Sequence, residues 1–453
     1  MNIGELAEAT HGRLLQGDPG WPIARAEVDS RRVQAGDLFV AVRGERTDGH
    51  LYIGKAFAAG AGGVLMERPA PLPPDVGAVL VDDVRHALLR AARRMAEEFS
   101  GLIGAVTGSV GKTTTKELWA AALAPLGPVF RNPGNFNSDI GMPLALFGLT
   151  ERHRSAVFEL GMRGRGEIAR LASVLRPRIG IVTVIGHSHL EILGSVEAIA
   201  RAKSELLSAL PQDGAAVLNA DDPWLSFLRL AAPHRVLLVG RNPAADLRIV
   251  GSESLGVEGS RLHLAYAGEE VSCGLRLLGH GAVLDAALAV GGALAAGVGF
   301  ADAAAALSRA EPPHGRLRTL RAHGMTAIDD TYNASPQSLD VALRLLRELP
   351  CTGRRIAVLG DMRELGPEEM EMHRQMGRAA AHSADIVLAV GEFAPLVAEA
   401  ARAEGSEAEA LSGVDDVAPW LRRRCGEGDV VLFKASRAIG LEQALALWLE
   451  VEP

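Results

Sequence analysis

The sequence predicts an α/β protein of three domains: a small α/β N-terminal domain, a central phosphate-loop domain with a mainly parallel sheet, and a Rossmann-like C-terminal domain. Three observations carry this. Short apolar runs alternate with helix-like patterns over most of the chain, as in parallel sheets covered by helices on both faces. The 453 residues suit about three domains of ~150 each, with breaks near residues 98 and 313. The stretch Ala105-Val-Thr-Gly-Ser-Val-Gly-Lys-Thr-Thr-Thr115 follows an apolar run at 102–106 and precedes a helical pattern at 116–123. Strand, glycine turn, helix is the setting a phosphate-binding loop needs.

Composition narrows the partners. Hydrophobic residues make up 48% and aromatics only 4%, which favours close-packed α/β layers. A net charge of −8 with no Lys/Arg-rich block argues against nucleic acid. Cys273, Cys351 and Cys425 are far apart, so neither a zinc site nor a disulfide framework is expected. Met1-Asn-Ile-Gly-Glu5 lacks the basic start of a leader. The longest apolar run, residues 281–300, is interrupted by Asp285 and reads as a packed helix, not a membrane span. The expectation is a cytoplasmic, soluble monomer.

Residues 1–98 form the first unit. A helical start leads to Val28-Asp-Ser-Arg-Arg-Val33, a strand at 38–42 and a polar loop at 43–50, and a helix from 84 to about 99 closes the unit. Its Asp, Ser, Arg and His residues at strand ends suit a sugar or nucleotide, and equally suit solvated turns. Residues 99–313 form the second unit. Strands are expected at 156–160, 179–184, 215–218 and 235–239, then β-hairpin material over 247–278 and two Ala-rich helices. The last unit, 314–453, has strands at 326–330, 356–360, 385–390 and 430–433. Helices near 337–348, 368–382, 394–403 and 437–449 lie between and after them. Asp330, Asp361 and Lys434 fall at the carboxyl ends of strands, where such sheets bind ligands.

The chemistry-bearing residues follow. Backbone N–H groups of Thr107, Gly108, Ser109, Val110 and Gly111 are placed to cradle phosphate. Lys112 would reach the terminal phosphates, and Thr113 or Thr114 would hold Mg²⁺. Val106 stands where the usual motif has its first glycine. The loop Asn132-Pro-Gly-Asn-Phe-Asn-Ser-Asp-Ile-Gly-Met-Pro143 offers Asn135 and Asn137 to a substrate, although Asn and Gly are also ordinary loop residues. Glu159 ends an apolar strand, a position that suits a Mg²⁺ ligand or a buried acid paired with an arginine. His187, His189 and Glu191 sit at another strand end. Lys203, on an expected helix, reads by position alone as a solvated lysine.

Taken together, the runs TGSVGKTTTKE, NFNSDIGMPL, FELGMRG, HLEILGS…AKSELL, DDTYNASPQSL and LGDMRELG resemble the Mur ligases over essentially the whole chain. The resemblance implies an ATP-dependent, Mg²⁺-requiring ligase of peptidoglycan precursor synthesis. Its partners would be UDP-MurNAc-tripeptide and D-alanyl-D-alanine, joined through an acyl phosphate. It further implies that Lys203 is carbamylated and holds Mg²⁺ with Glu159 and His189. Arg316, Asp330 and Asn333 match nucleotide-binding positions and would meet ATP only when the domains close. Ser30 and Arg31 match the uridine end of the substrate. The Gly279–Asp285 segment departs from the family's HNxxN pattern, so no adenine contacts are carried onto it. Two rivals remain: another amide ligase of the superfamily such as a folylpolyglutamate synthase, and a non-catalytic nucleotide-binding module.

Overall fold

The apolar run ahead of the glycine turn forms the strand Leu102–Thr107, buried along nearly all its length. In this computed structural model, which describes residues 1–44 and 47–450, the strand lies inside the largest sheet. Glu45 and Arg46, within the polar loop read at 43–50, lie outside the described residues, as do residues 451–453. Among the described residues the strands form sheets of five, nine and six members, one in each third of the chain.

In the central sheet, Val129–Arg131, Ser155–Glu159, Leu102–Thr107, Ile179–Val182, Ala215–Asn219 and Arg235–Gly240 run parallel. Leu247–Ser254 continues parallel, then turns back on Ser260–Tyr266 and Glu269–Leu275 as an antiparallel meander. The stretch read as hairpin material is thus three strands, with Gly259 at positive φ before the second and Gly268 at positive φ before the third. Leu102–Thr107 has Ser155–Glu159 on one side and Ile179–Val182 on the other. The chain leaves it first toward one edge and later toward the opposite edge. The loop after it therefore opens at the switch point, where a crevice forms in an open parallel sheet. The helix Lys112–Ala122 follows and packs on Gly279–Ala295, with Trp119 fully buried in their common core.

The five-stranded sheet orders Arg13–Gln16, Gly77–Leu80, Gly63–Met66, Leu38–Val40 and Ala26–Glu27, with only the first pair antiparallel. The helix Val84–Glu98 begins at Asp83, whose side chain accepts the His86 N–H. Val84, Ala87, Leu88 and Ala91 from this helix enter the first core, while Ala92 and Ala96 enter the core under the central sheet. Leu144 and Phe147, beyond the Asn-rich loop, pack back into the first core. The two units thus share apolar material across residue 98.

In the last sheet, Arg318–Ala322 is antiparallel to Met325–Asp330, and Val430–Lys434, Arg355–Gly360, Ile386–Val390 and Glu407–Ala410 continue in parallel. Asp330 and Lys434 end neighbouring strands in register. The terminal helix expected from 437 is broken by Gly440, whose φ of 73° separates a 3₁₀ turn from Leu441–Leu449.

Candidate active site

The glycine turn is shaped by contacts on both flanks. Gly108 has φ 155° and lies so close to Thr183 that a Cβ would strike the hydroxyl. Gly111, at φ 86°, caps Lys112–Ala122 without a side-chain cap, and a Cβ there would strike the Asp285 carboxylate. Thr107 Oγ1 donates to Leu160 O at 3.0 Å. Ser109 N–H donates to Val184 O at 2.7 Å, and Ser109 Oγ accepts from Gly186 N–H at 2.9 Å. Thr183 Oγ1 donates to Val110 O at 2.5 Å. The loop is held while the N–H groups of the helix's first turn are left for an anion.

Two lysines meet at this turn. Lys112 Nζ and Lys203 Nζ each lie 2.8 Å from Gly108 O. Burial lowers the pKa of Lys112, aided by Arg316 and opposed by Glu159 and Asp285. Lys203, on the helix Val196–Ser208, is 1% exposed. Burial and then the Lys112 charge put its pKa well below the usual lysine value, against the pull of Glu159. Position in sequence made Lys203 look solvated; the fold buries it behind the loop.

Glu159 is almost fully buried. Its Oε2 accepts from Thr113 Oγ1 at 2.7 Å and its Oε1 from Asn137 Nδ2 at 2.8 Å. Asn132 fixes the Glu159 backbone from both sides, accepting its N–H at 2.9 Å and donating to its carbonyl at 3.3 Å. Lys116, fully buried, donates to Asn132 O at 2.6 Å. The Thr113 hydroxyl and Glu159 carboxylate are hard oxygen donors beside the phosphate loop, a donor set that fits Mg²⁺. Thr114 is half-buried in the same helical turn, and Asn135 is exposed.

His189 faces the last unit. In a left-handed conformation (φ 65°), it sets Nδ1 3.0 Å from Glu364 Oε2 of the last unit. The imidazole holds the Glu364 carboxyl below its usual pKa. Among the described residues, no three His, Cys, Asp or Glu side chains gather as a metal cluster. His187 Nδ1 is 2.7 Å from Gln337 Nε2, a second contact with the last unit.

The last unit already reaches the loop. Arg316 Nη2 is 3.4 Å from Thr113 Oγ1, and the Tyr332 ring lies under two guanidinium groups, Arg316 at 4.0 Å and Arg437 at 5.3 Å. Arg316 Nε is buried with no hydrogen-bond partner among the described residues; a phosphate oxygen would satisfy it. A cleft of about 740 Å³ opens there, lined by Thr113, Arg131, His314, Arg316, Tyr332 and Arg437 among others. Asp330 is bonded to the buried Lys434, which also donates to Asn333 O at 3.0 Å; the Asn333 side chain is exposed. Ser30 and Arg31 sit on the first unit. Arg31 grips Asp29 with Nε and Nη2 at 2.9 and 2.6 Å and pulls that carboxyl down to about 2. Asn132, Asp285, Tyr332 and Gln337 went unassigned in the sequence. Only Asp285 carried a signal, as a charge inside an apolar helix.

An uncapped helix end, two lysines and a Thr113–Glu159 pair with its carboxylate buried, at a switch point, make a place for a polyphosphate and its cation. The class so defined is that of phosphate-loop nucleotide-binding enzymes. Within it, the chain belongs to the Mur ligase family. Models of the Mur ligase family catalytic domain, the Mur ligase middle domain and the Mur ligase glutamate ligase domain match residues 22–97, 106–293 and 315–437. The UDP-N-acetylmuramoyl-tripeptide–D-alanyl-D-alanine ligase of Bacillus subtilis is 35% identical, over 97% of this chain and 96% of its own. The crystal structure of MurF from Acinetobacter baumannii superposes with a TM-score of 0.88 at 31% identity, covering 99% of each chain. MurF ligase from Thermotoga maritima, solved in complex with ADP, gives 0.78 at 29% identity, covering 94% of this chain and 96% of its own. No helix among the described residues is long and apolar enough to cross a membrane.

Proposed function

We propose that the chain is the ATP-dependent ligase that joins D-alanyl-D-alanine to UDP-N-acetylmuramoyl-tripeptide in cytoplasmic peptidoglycan precursor synthesis. The observation that carries this reading is likeness along nearly the whole chain to enzymes so named, with the phosphate loop kept as a built site. The γ-phosphoryl group of ATP passes to the terminal carboxylate of the tripeptide, leaving ADP and an acyl phosphate. The dipeptide amine then attacks the acyl carbon, the C–O bond to phosphate breaks, the nitrogen loses a proton, and an amide forms. Lys112 and the loop N–H groups hold the transferring phosphoryl group. Thr113 and Glu159 would hold Mg²⁺, which neutralises phosphate charge when bound.

Arg316 supplies charge from the last unit, and Asp330 and Asn333 border the nucleotide. Ser30 and Arg31 take the uridine end, and Asn135 and Asn137 line the approach to the acceptor carboxylate. His189 joins the metal's surroundings only by releasing Glu364. The working units are residues 1–98 for the UDP-substrate, 99–313 for ATP and 314–453 as the ligase domain that closes on them. Lys203 works as a carbamate. Its neutral amine adds to CO₂, a nitrogen–carbon bond forms, one proton leaves, and the anion removes a like-charge clash with Lys112. Burial that favours the neutral amine supports this step.

Phosphate release with UDP-MurNAc-tripeptide, with and without D-alanyl-D-alanine, tests the whole reading. Release that requires both substrates is expected. Release driven by a folate and glutamate would favour the folylpolyglutamate synthase rival, and no release with any pair would favour the non-catalytic module.

A further inference from the structure

The helix Gly279–Ala295 is apolar on nearly every buried position, yet it presents one carboxyl group to the phosphate loop. Asp285 is 7% exposed. It abuts Gly111 so closely that only a residue without Cβ fits the turn, and the buried Thr115 hydroxyl lies beside it. Two cations act on it, Lys112 from the loop helix and Arg316 from the last unit. The helix Pro336–Glu348 also packs on Gly279–Ala295. Its Asp340, Arg344 and Glu348 surround Gly279 and His280 at a separate small cavity. A carboxylate behind a loop that holds phosphate adds the same charge as the ligand, in a place where water screens little. A neutral carboxylic acid keeps the packing without the repulsion. Burial outweighs both cations and the Thr115 hydroxyl, and pushes this acid up to about 8.

We propose that Asp285 is a positioning residue of the phosphate loop that must be protonated for nucleotide to bind, so that its ionisation in alkaline solution weakens binding. This rests on the nucleotide reading of the loop. When nucleotide meets the ionised form, the carboxylate takes one proton from the solvent, and the balance of the step is that proton.

The test is calorimetric titration of Mg²⁺–ADP into the full chain between pH 7 and 9, in buffers of different ionisation enthalpy, for the wild type and Asp285→Asn. A group titrating near 8 is about nine-tenths ionised at pH 9, so the wild-type Kd rises about tenfold from pH 7 to 9, with proton uptake. In Asp285→Asn the rise falls below about threefold and that uptake disappears. Lys112 and Lys203 titrate in both proteins, so the difference between the two isolates Asp285. Equal pH slopes and equal proton uptake overturn the proposal while leaving the nucleotide site standing. Failure of the wild type to bind Mg²⁺–ADP at any pH overturns the nucleotide reading and this inference with it. Should the variant fail to fold, the wild type alone decides: absence of proton uptake between pH 8 and 9 overturns the proposal.

Discussion

Replacing Asp330 with alanine separates a structural duty from a nucleotide-binding one. Asp330 and Lys434 end adjacent strands in register, and their side chains are 8% and 1% exposed. Without Asp330 the ammonium keeps only the Asn333 carbonyl, at 3.0 Å. Removing one partner of a buried pair costs about 3–5 kcal/mol. The lower end applies here, because burial already lowers the Lys434 pKa and makes loss of its proton a cheaper escape. A deficit of about 3 kcal/mol corresponds to a Tm lowered by about 10 °C for a unit of this size. The deficit shrinks as pH rises toward the ordinary lysine pKa of about 10.4, since the folded variant binds fewer protons there than the unfolded chain. Thermal and urea unfolding of Asp330→Ala, Lys434→Met and the double variant measure it. The double variant should recover most of the stability, because neither charge is then buried alone, but it should not recover ATP affinity. An Asp330→Ala variant within about 1 kcal/mol of wild type, or a double variant no more stable than the single, would refute the reasoning.

Lys112→Ala should lower turnover by about a thousandfold, several kcal/mol of transition-state charge, with an unchanged circular dichroism spectrum; near-normal turnover removes Lys112 from the phosphates. Lys203→Ala should cripple acyl-phosphate formation, and excess small carboxylates should restore part of the rate; a normal rate, or a bare ammonium in crystals of the active, CO₂-equilibrated enzyme, defeats the carbamate. Arg316→Ala should reduce turnover far more than affinity for the UDP-substrate, measured by equilibrium binding, and equal losses contradict its place on the nucleotide side. Asp285→Asn should be more stable than wild type in neutral and alkaline solution. The folded acid is raised from 3.8 to about 8, so its destabilisation grows from about pH 4 and is complete above pH 8. Melting temperatures at pH 5, 7 and 9 should diverge in that order.

How much was legible follows from where apolar side chains sit. The inner strands of the central and last sheets are apolar runs and could be read as such, whereas in the first sheet only the run at 38–42 was read, and the short buried strands Gly63–Met66 and Gly77–Leu80 were missed. Val129–Arg131, Arg318–Ala322 and Glu407–Ala410 were missed because they are sheet edges with exposed or half-exposed side chains, so no apolar run marks them. At the site, Lys112, Thr113 and Glu159 stood out through spacing and strand ends. Lys203 did not, because a helix shows which residues share a face and not which face is buried. It was the family likeness that singled it out. Asn132 could not be told from its loop neighbours, since its work is done through the Glu159 backbone 27 positions away.

The units are fastened to one another by different kinds of contact. The first and central units share the buried face of the amphipathic helix Val84–Glu98 and the side chains of Leu144 and Phe147, these two each worth about 1.5–3 kcal/mol of burial. The last unit meets the central one through Gln337 with His187 and Glu364 with His189 at the 184–189 loop, through Leu278 in its core, and where the helix Pro336–Glu348 packs on Gly279–Ala295. Water replaces such polar contacts at about 0–1 kcal/mol each. Thermal motion can therefore part the last unit from the loop while the first two stay together. On the function proposed above, that asymmetry would set an order of departure: spent nucleotide escapes through the seam that opens, while the carrier end of the lengthened peptide still rests on a surface that has not moved.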